Sequence, residues 1–232
     1  MDFEAFDTRG YPTVSAREGY GAWAATYDDS VLDLMDLRLL ERVMSVEWAG
    51  VRRAADLACG TGRTGAWVRS RGVGAVDGVD ITPAMLERAA ARGAHDRLVE
   101  ADVRTTGLGG GAYELVVCSL ADEHLAELSG LYEEASRLAA DRGWFVLVGY
   151  HPYFLMGGMP THYHRASGEA VAIETHVHLL SDHVAAAGRA GWRLLEMHEG
   201  VVDDAWVAAK PKWAGYRGRP ISFVCVWGRG PA

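Results

Sequence analysis

The sequence predicts an α/β fold, a mostly parallel sheet covered by helices on both faces. Three observations carry that expectation. Short apolar runs alternate with segments of helical period through the middle of the chain. One apolar run leads into a glycine-rich turn that opens a helix. Two more apolar runs close the chain with a turn-rich stretch between them, the pattern of an antiparallel edge hairpin.

At 232 residues the chain has room for one domain with a sizeable core and not for two, so 1–232 is read as a single domain. Residues 1–15 carry Gly10 and Pro12 and little periodicity, and are expected to form a loose arm. Residues 16–50 read as two N-terminal helices. Tyr20, Trp23 and Tyr27 mark the first, Val31, Leu34, Met35, Leu39 and Val43 the second, and Asp28-Asp29-Ser30 sits where a cap is needed. Strands are then predicted at Ala54–Cys59, Ala75–Asp80, Leu98–Ala101, Tyr113–Leu120 and Trp144–Tyr150. Helices fall between them at Thr64–Ser70, from Pro83 through Arg92, and at Leu125–Ala140. Residues 151–180 break the rhythm with Pro152, Gly157-Gly158, Pro160 and many histidines, and read as a cap insertion with short strands. A helix at Ser181–Ala190 comes next, then strands at Trp192–Val202 and Ile221–Trp227, these two joined by a loop containing KPKW and YRGRP.

Composition excludes several classes. Net charge is −8, and lysine occurs only at 210 and 212. No clustered basic footprint exists, so nucleic acid is not an expected partner. Acidity also disfavours anionic membranes, and no run approaches the eighteen apolar residues of a membrane span. Cys59, Cys118 and Cys225 are far apart and odd in number, which indicates neither a disulfide framework nor a zinc knuckle. The first ten residues lack the apolar segment of a secretory signal, and the expected compartment is the cytoplasm.

The sharpest motif is Asp56-Leu-Ala-Cys-Gly60-Thr-Gly62-Arg-Thr-Gly65. Glycine permits a tight turn and close approach of a ligand, and the helix it opens offers free N–H donors. The spacing spells GxGxxG, the dinucleotide fingerprint. Its surroundings favour another ligand. Asp56 would repel a pyrophosphate and hold an amino group, Asp80 ends the second strand where ribose hydroxyls are met, and Asp102 comes after the third. The three acids suit a cationic ligand with an amino-acid head, a ribose and an adenine. Asp56 can alternatively serve only to cap backbone amides of the loop.

DLACGTGRTG, GVDITPAMLERA and EADV resemble the successive motifs of the class I S-adenosylmethionine-dependent methyltransferases, in order and spacing, from about Tyr20 to Trp227. The resemblance implies a Rossmann-like sheet of seven strands with the last antiparallel, and S-adenosyl-L-methionine as cofactor. It implies a glycine loop cradling the methionine part, an acid on the ribose and an acid beside adenine. Those roles fall on Asp56, Ala58, Gly60, Gly62, Asp80, Ile81, Asp102 and Val103, with Ala58 standing where many members have glycine. Ser119 would line the sulfonium side, and Tyr27-Asp28 is similar to an N-terminal Tyr-Asp pair that approaches the cofactor.

The acceptor side is read from histidines, seven of which lie between His124 and His183. Methyl transfer is an in-line displacement that needs alignment and dryness, and an oxygen or nitrogen nucleophile gains from a base. His124 comes after the fourth strand and His151 after the fifth, so these two are the catalytic candidates. Asp122 and Glu123 read as caps of the next helix. Histidine pairs 162/164 and 176/178 suit zinc in principle, but no cysteine supports them and no metal is expected. Tyr20, Trp23, Tyr27, Tyr153, Phe154, Tyr163 and Trp206 are candidate lid aromatics, though helical spacing also suits core packing.

The functional expectation is methyl transfer to an O or N, less readily a C, of a small-molecule acceptor. The Ala- and Arg-rich, Lys-poor composition points to bacterial secondary metabolism. The alternatives are an S-adenosylmethionine-binding protein that senses or performs cyclase-like chemistry, and an NAD-dependent oxidoreductase. A homodimer is compatible with all three.

Overall fold

A computed structural model describes residues 1–229. In chain order the elements are β1 (Thr13–Val14), α1 (Ala16–Trp23), α2 (Tyr27–Ser30), α3 (Leu37–Leu40), β2 (Arg53–Leu57), α4 (Arg63–Ser70) and β3 (Ala75–Asp80). Then come α5 (Pro83–Arg92), β4 (Arg97–Glu100), β5 (Tyr113–Ser119), α6 (Ser129–Leu138), β6 (Ala139–Tyr150) and α7 (Pro152–Met156). The chain continues through β7 (His162–His164), β8 (Ala170–Ile173), α8 (Leu180–Arg189), β9 (Trp192–Val201), α9 (Asp204–Ala209) and β10 (Pro220–Arg229).

Seven strands form the main sheet in the order β4-β3-β2-β5-β6-β10-β9. Six run parallel, and β10 inserts antiparallel between β6 and β9. This is the Rossmann-like sheet expected, with the terminal pair at its edge. Side chains alternate across it with period two. Val116, Cys118, Phe145, Leu147, Phe223 and Trp227 pack under α6 and α8. Leu115, Val117, Val146, Val148, Val224 and Val226 pack on the opposite face, against α3, α4 and Trp206 of α9. Burial on both faces explains why these strands read as continuous apolar runs rather than alternating ones. The helices between them start and stop where local chemistry says. Pro83 occupies the first turn of α5, and Gly93, with a φ of +71°, ends it.

The N-terminal 15 residues are not a loose arm. Thr13–Val14 pair in parallel with β8, and β8 pairs antiparallel with β7 to make a second, three-stranded sheet. Phe3 is buried with Leu155 and Val177, and the Met1 ammonium donates to the Val177 carbonyl at 2.8 Å. The docking partners lie far downstream in the chain, beyond the reach of any local pattern.

Residues 16–50 also differ from two helices. The first is α1, but the second breaks into α2, α3 and a 3-10 turn at Trp48–Gly50. Asp28-Asp29-Ser30 fall inside α2 instead of capping a second helix, and Asp36 caps α3 through the Leu37 N–H. Between β9 and β10 the expected loop contains α9, capped by Asp203, and a 3-10 stretch at Pro211–Tyr216. There Phe154, Trp213 and Trp206 stack in sequence. The 151–180 insertion supplies α7, β7 and β8, and so cements the arm to the body.

Because Phe3 closes a buried contact, Phe3→Ala should destabilise the protein by about 3–5 kcal/mol, the usual range for deleting a buried aromatic. The Val177 amide, which donates to the Met1 carbonyl, should exchange with deuterium much faster. Wild-type exchange at Val177 in the variant would mean that the arm is held by other contacts.

Candidate functional site

A cavity of about 350 Å³ opens over the carboxyl ends of the central strands. Strand order reverses between β2 and β5, so a crevice must form there whatever the loops contain. The size falls toward the lower end of small-molecule sites. Tyr27, Ala58, Gly60, Asp80, Ile81, Asp102, Val103, Ser119 and His124 all line it.

Asp80 is the anchor of one end. Its carboxylate is 7 % exposed and accepts from the Gly60 N–H and the Thr82 N–H, each at 2.8 Å. Burial raises its pKa, and these two hydrogen bonds oppose the rise. One backbone bond on each oxygen leaves lone pairs free for hydroxyl donors. Gly60 itself has a φ of +53°, which favours glycine, and the nearest atom to its missing Cβ is the Ala58 carbonyl oxygen at 4.0 Å. Ala58 and Leu120 are non-glycine residues in the same left-handed region, with φ of +53° and +55°, and both border the cavity. Such backbone strain gathers at binding sites. Asp102 is held by the Arg104 guanidinium at 2.6 and 2.9 Å, which keeps its carboxyl below the usual range. The Ser119 hydroxyl is buried without a partner at the cavity wall.

At the other end stand Tyr20 and His124. His124 Nδ1 lies 2.6 Å from the Glu174 carbonyl oxygen, and its Nε2 lies 2.8 Å from the Tyr20 hydroxyl. A carbonyl only accepts, so Nδ1 carries the proton and Nε2 accepts from Tyr20. Burial pushes the His124 pKa down to about 4, so the ring is neutral at physiological pH. Glu123 Oε1 lies 3.4 Å from the same Nε2, and the Thr161 hydroxyl donates to it at 3.1 Å. Burial, reinforced by Asp122, raises the Glu123 pKa to about 8.

The N-terminal segment is bolted over this crevice. Asp28 accepts from Thr61 of the glycine loop at 2.5 Å and from Arg92 at 2.6 Å. Arg63 of α4 reaches back to Asp33 and Asp36 at 2.7 and 3.0 Å. These ties position Tyr27 and Tyr20, whose rings pack with Trp23 and, through it, Tyr163. Tyr153, Phe154 and Trp206 do not join that cluster; Phe154 and Trp206 stack with Trp213 elsewhere.

Three of the expected site residues fall outside the cavity. Asp56 is 1 % exposed in β2 and binds His95 Nε2 at 2.9 Å instead of facing a ligand. The strand ends at Leu57, so its carboxylate points into the packing beneath the loop. Gly62, with a φ of +84°, makes the turn into α4 and faces Ala89, Arg92 and His95. His151 caps α7 by accepting from the Tyr153 N–H, and its Nε2 meets Glu199 at 2.8 Å. The chain turns away from the crevice after β6, so a residue just past a core strand need not face the site.

The other histidines are dispersed. His178 Nε2 donates to the Leu125 carbonyl, His183 pairs with the Tyr132 hydroxyl, and His162 and His164 stay together on β7. Among the described residues no group of three His, Cys, Asp or Glu side chains is arranged to hold a metal ion. Asp122 and Glu123 are not caps; they form a buried 3-10 turn ahead of α6. Tyr20 and Glu174 join the site although sequence reasoning does not single them out for it. Tyr20 is visible as a lid aromatic, but its hydroxyl contact spans 104 residues, and Glu174 acts through its backbone oxygen, which carries no sequence signal.

Residues 55–147 match the family model described as a methyltransferase domain. No curated protein matches the chain. A crystal structure of an S-adenosylmethionine-dependent methyltransferase from Mesorhizobium loti superposes with a TM-score of 0.68 at 23 % identity, covering 87 % of this chain and 99 % of that one. Magnesium protoporphyrin IX methyltransferase from Synechocystis PCC 6803 with bound SAH gives 0.63 at 18 % identity, covering 92 % and 94 %. The [4+2]-cyclase SpnF gives 0.64 at 14 % identity, covering 97 % and 100 %. These likenesses establish the fold.

Glu123 and His124 tilt stability with pH in opposite directions. His124 is neutral in the fold, so its contribution is complete above about 6.5 and is lost as pH falls toward 4. Glu123 is protonated in the fold, so its contribution is complete below 4.5 and is lost as pH rises through about 8. Between pH 6.5 and 8 only the Glu123 slope remains, at most about 1.4 kcal/mol per pH unit. Glu123→Gln should therefore gain stability relative to wild type across that window in urea denaturation. A constant difference between the two proteins would show that Glu123 is already ionised in the fold.

Proposed function

We propose, from the match of residues 55–147 to the methyltransferase domain family, that this protein transfers the methyl group of S-adenosylmethionine to an oxygen or nitrogen of a small molecule. The acceptor is read as a cytoplasmic bacterial secondary metabolite, on composition alone. The residues present fit the cofactor. The buried Asp80 carboxylate has free lone pairs for ribose hydroxyls, Asp102 stands where adenine is expected, and the orphaned Ser119 hydroxyl marks a wall that lacks its polar partner. The acidic lining also suits a cation. When bound, S-adenosylmethionine supplies an electrophilic methyl on a sulfonium.

One observation carries the catalytic half of the reading: the Tyr20–His124 contact at the wall of that cavity. The Tyr20 oxygen accepts a proton from the acceptor's O–H or N–H as its own proton passes to His124 Nε2. The Glu174 carbonyl holds Nδ1–H and so keeps Nε2 aimed at Tyr20. Tyr20 and Leu125 close the cavity wall and keep water from the acceptor atom. His151 has no part in this, because it lies outside the cavity.

Asp80→Ala should weaken S-adenosylhomocysteine binding at least tenfold by calorimetry, the loss expected for a charge-assisted acceptor. Unchanged affinity in the folded variant would sink the ribose assignment. His124→Asn should lower kcat by about 10²–10⁴ with cofactor affinity retained, the usual worth of general base catalysis, whereas His151→Ala should leave kcat unaltered. Because burial holds His124 near 4, the wild-type rate should show no inflection near pH 6.5. A step there would mean that a solvent-exposed histidine is the base. Radiolabel from the cofactor methyl should appear in the product. Product formed without label would place the chain with non-methylating enzymes of this fold.

A further inference from the structure

His95 lies just past the end of α5, and its side chain is completely buried. Glycines surround it. A Cβ built on Gly65 would collide with its Nε2, one on Gly78 of β3 would lie 2.7 Å from its Cδ2, and one on Gly62 would lie 3.3 Å from its Cε1. The imidazole therefore occupies a slot that exists only because three positions, on the glycine loop, the first turn of α4 and the neighbouring strand, lack side chains. At its inner end Nε2 donates to Asp56 Oδ2 at 2.9 Å. Asp56 Oδ1 has no other partner, so without His95 the carboxylate would be buried with no side-chain partner on either oxygen.

The three glycines of the GxGxxG run thus divide their work. Gly60 borders the cavity, while Gly62 and Gly65 make room for a histidine. The loop above this slot is tied to the site at each step. The Cys59 N–H donates to the Val79 carbonyl, the Gly60 N–H to Asp80, and the Gly62 N–H to the Cys59 carbonyl. A loop that sinks into an emptied slot must carry Gly60, and with it the carboxylate of Asp80, out of place. His95 itself does not reach the cavity.

We propose that His95 is a positioning residue for cofactor binding: the glycine loop rests on its imidazole, and the Asp56–His95 pair sets the affinity of a site it does not touch. The proposal rests on the reading of the cavity as the cofactor site. Two properties of the side chain are needed together, its volume and its N–H. Glutamine supplies a comparable reach and an N–H for Asp56, leucine fills the slot without a donor, and alanine supplies neither.

The test is calorimetric titration of the full chain with S-adenosylhomocysteine, with melting temperatures measured beside it. His95→Gln should bind within about threefold of wild type. His95→Leu and His95→Ala should bind at least about tenfold more weakly while still folded, as expected when a buried carboxylate loses its donor. Trp192→Phe, which loses the hydrogen bond to the Tyr132 carbonyl at the far edge of the sheet, should lower stability but leave the dissociation constant unchanged and so separates affinity from stability. Gly65→Ala alone should abolish binding, and Gly65→Ala/His95→Ala should recover part of it, because the second change removes the collision. If wild type binds and the alanine and leucine variants bind equally well, His95 only packs and the proposal fails. If wild type takes no S-adenosylhomocysteine at all, the reading of the cavity fails and the proposal falls with it.

Discussion

Two backbone N–H groups, those of Gly60 and Thr82, converge on the buried carboxylate of Asp80, and the site cannot be built without that convergence. One N–H comes from the turn after β2 and the other from the entry into α5. The carboxylate therefore stitches two βα units together across their carboxyl ends. A carboxylate this deeply buried is costly unless its hydrogen bonds are made. Its two bonds offset that cost and leave outward lone pairs for a ligand. The strain in Ala58 and Leu120 belongs to the same arrangement. Each sits where a parallel strand must stop abruptly and release the chain away from the crevice, and the surrounding sheet holds both in place.

The opposite end of the cavity is assembled differently. Its working groups come from α1, from the turn after β5 and from the segment after β8. No two of these are neighbours in sequence. What unites them is the small sheet of β1, β8 and β7, through which the N-terminal arm and the insertion hold each other. The insertion does two jobs at once. It offers the Glu174 carbonyl to His124, and it gives β1 the edge that holds α1, and so Tyr20, over the crevice.

The main sheet is legible in the sequence because each strand's signal is local. A doubly covered strand needs an apolar run, and a βα turn needs small residues and a helix start, so motifs, strand boundaries and even the Pro83 helix can be read within a few residues. The Asp80 end of the cavity is legible for the same reason, since Gly60, Asp80 and Asp102 belong to three consecutive turns. The arm's docking, the hydroxyl contact of Tyr20 and the Glu174 carbonyl are not legible, because each depends on a partner many residues away. Asp56 shows a subtler failure. Its position in the motif is visible, but the residue that claims it, His95, lies 39 residues later in a stretch with no motif of its own.

The histidines show why position at a strand end is a weaker guide than the hydrogen bonds available there. His124 and His151 both come after core strands, yet one faces the cavity and the other caps a helix outside it. The difference arises in the residues between strand and histidine. After β5, Leu120 adopts the left-handed conformation and the chain folds into the tight turn Asp122–His124, which directs the ring back over the sheet. After β6, Pro152 starts α7 at once, and His151 becomes its cap. Burial then completes the distinction. His124 is desolvated between the Glu174 carbonyl and the Tyr20 hydroxyl, and its ring stays neutral with a defined tautomer. A neutral imidazole with Nδ1 occupied offers only Nε2 as an acceptor, and the nearest donor to it is the Tyr20 hydroxyl at 2.8 Å. The protonation state at this end of the cavity is thus set by a backbone carbonyl and a tyrosine, with the histidine as the link between them.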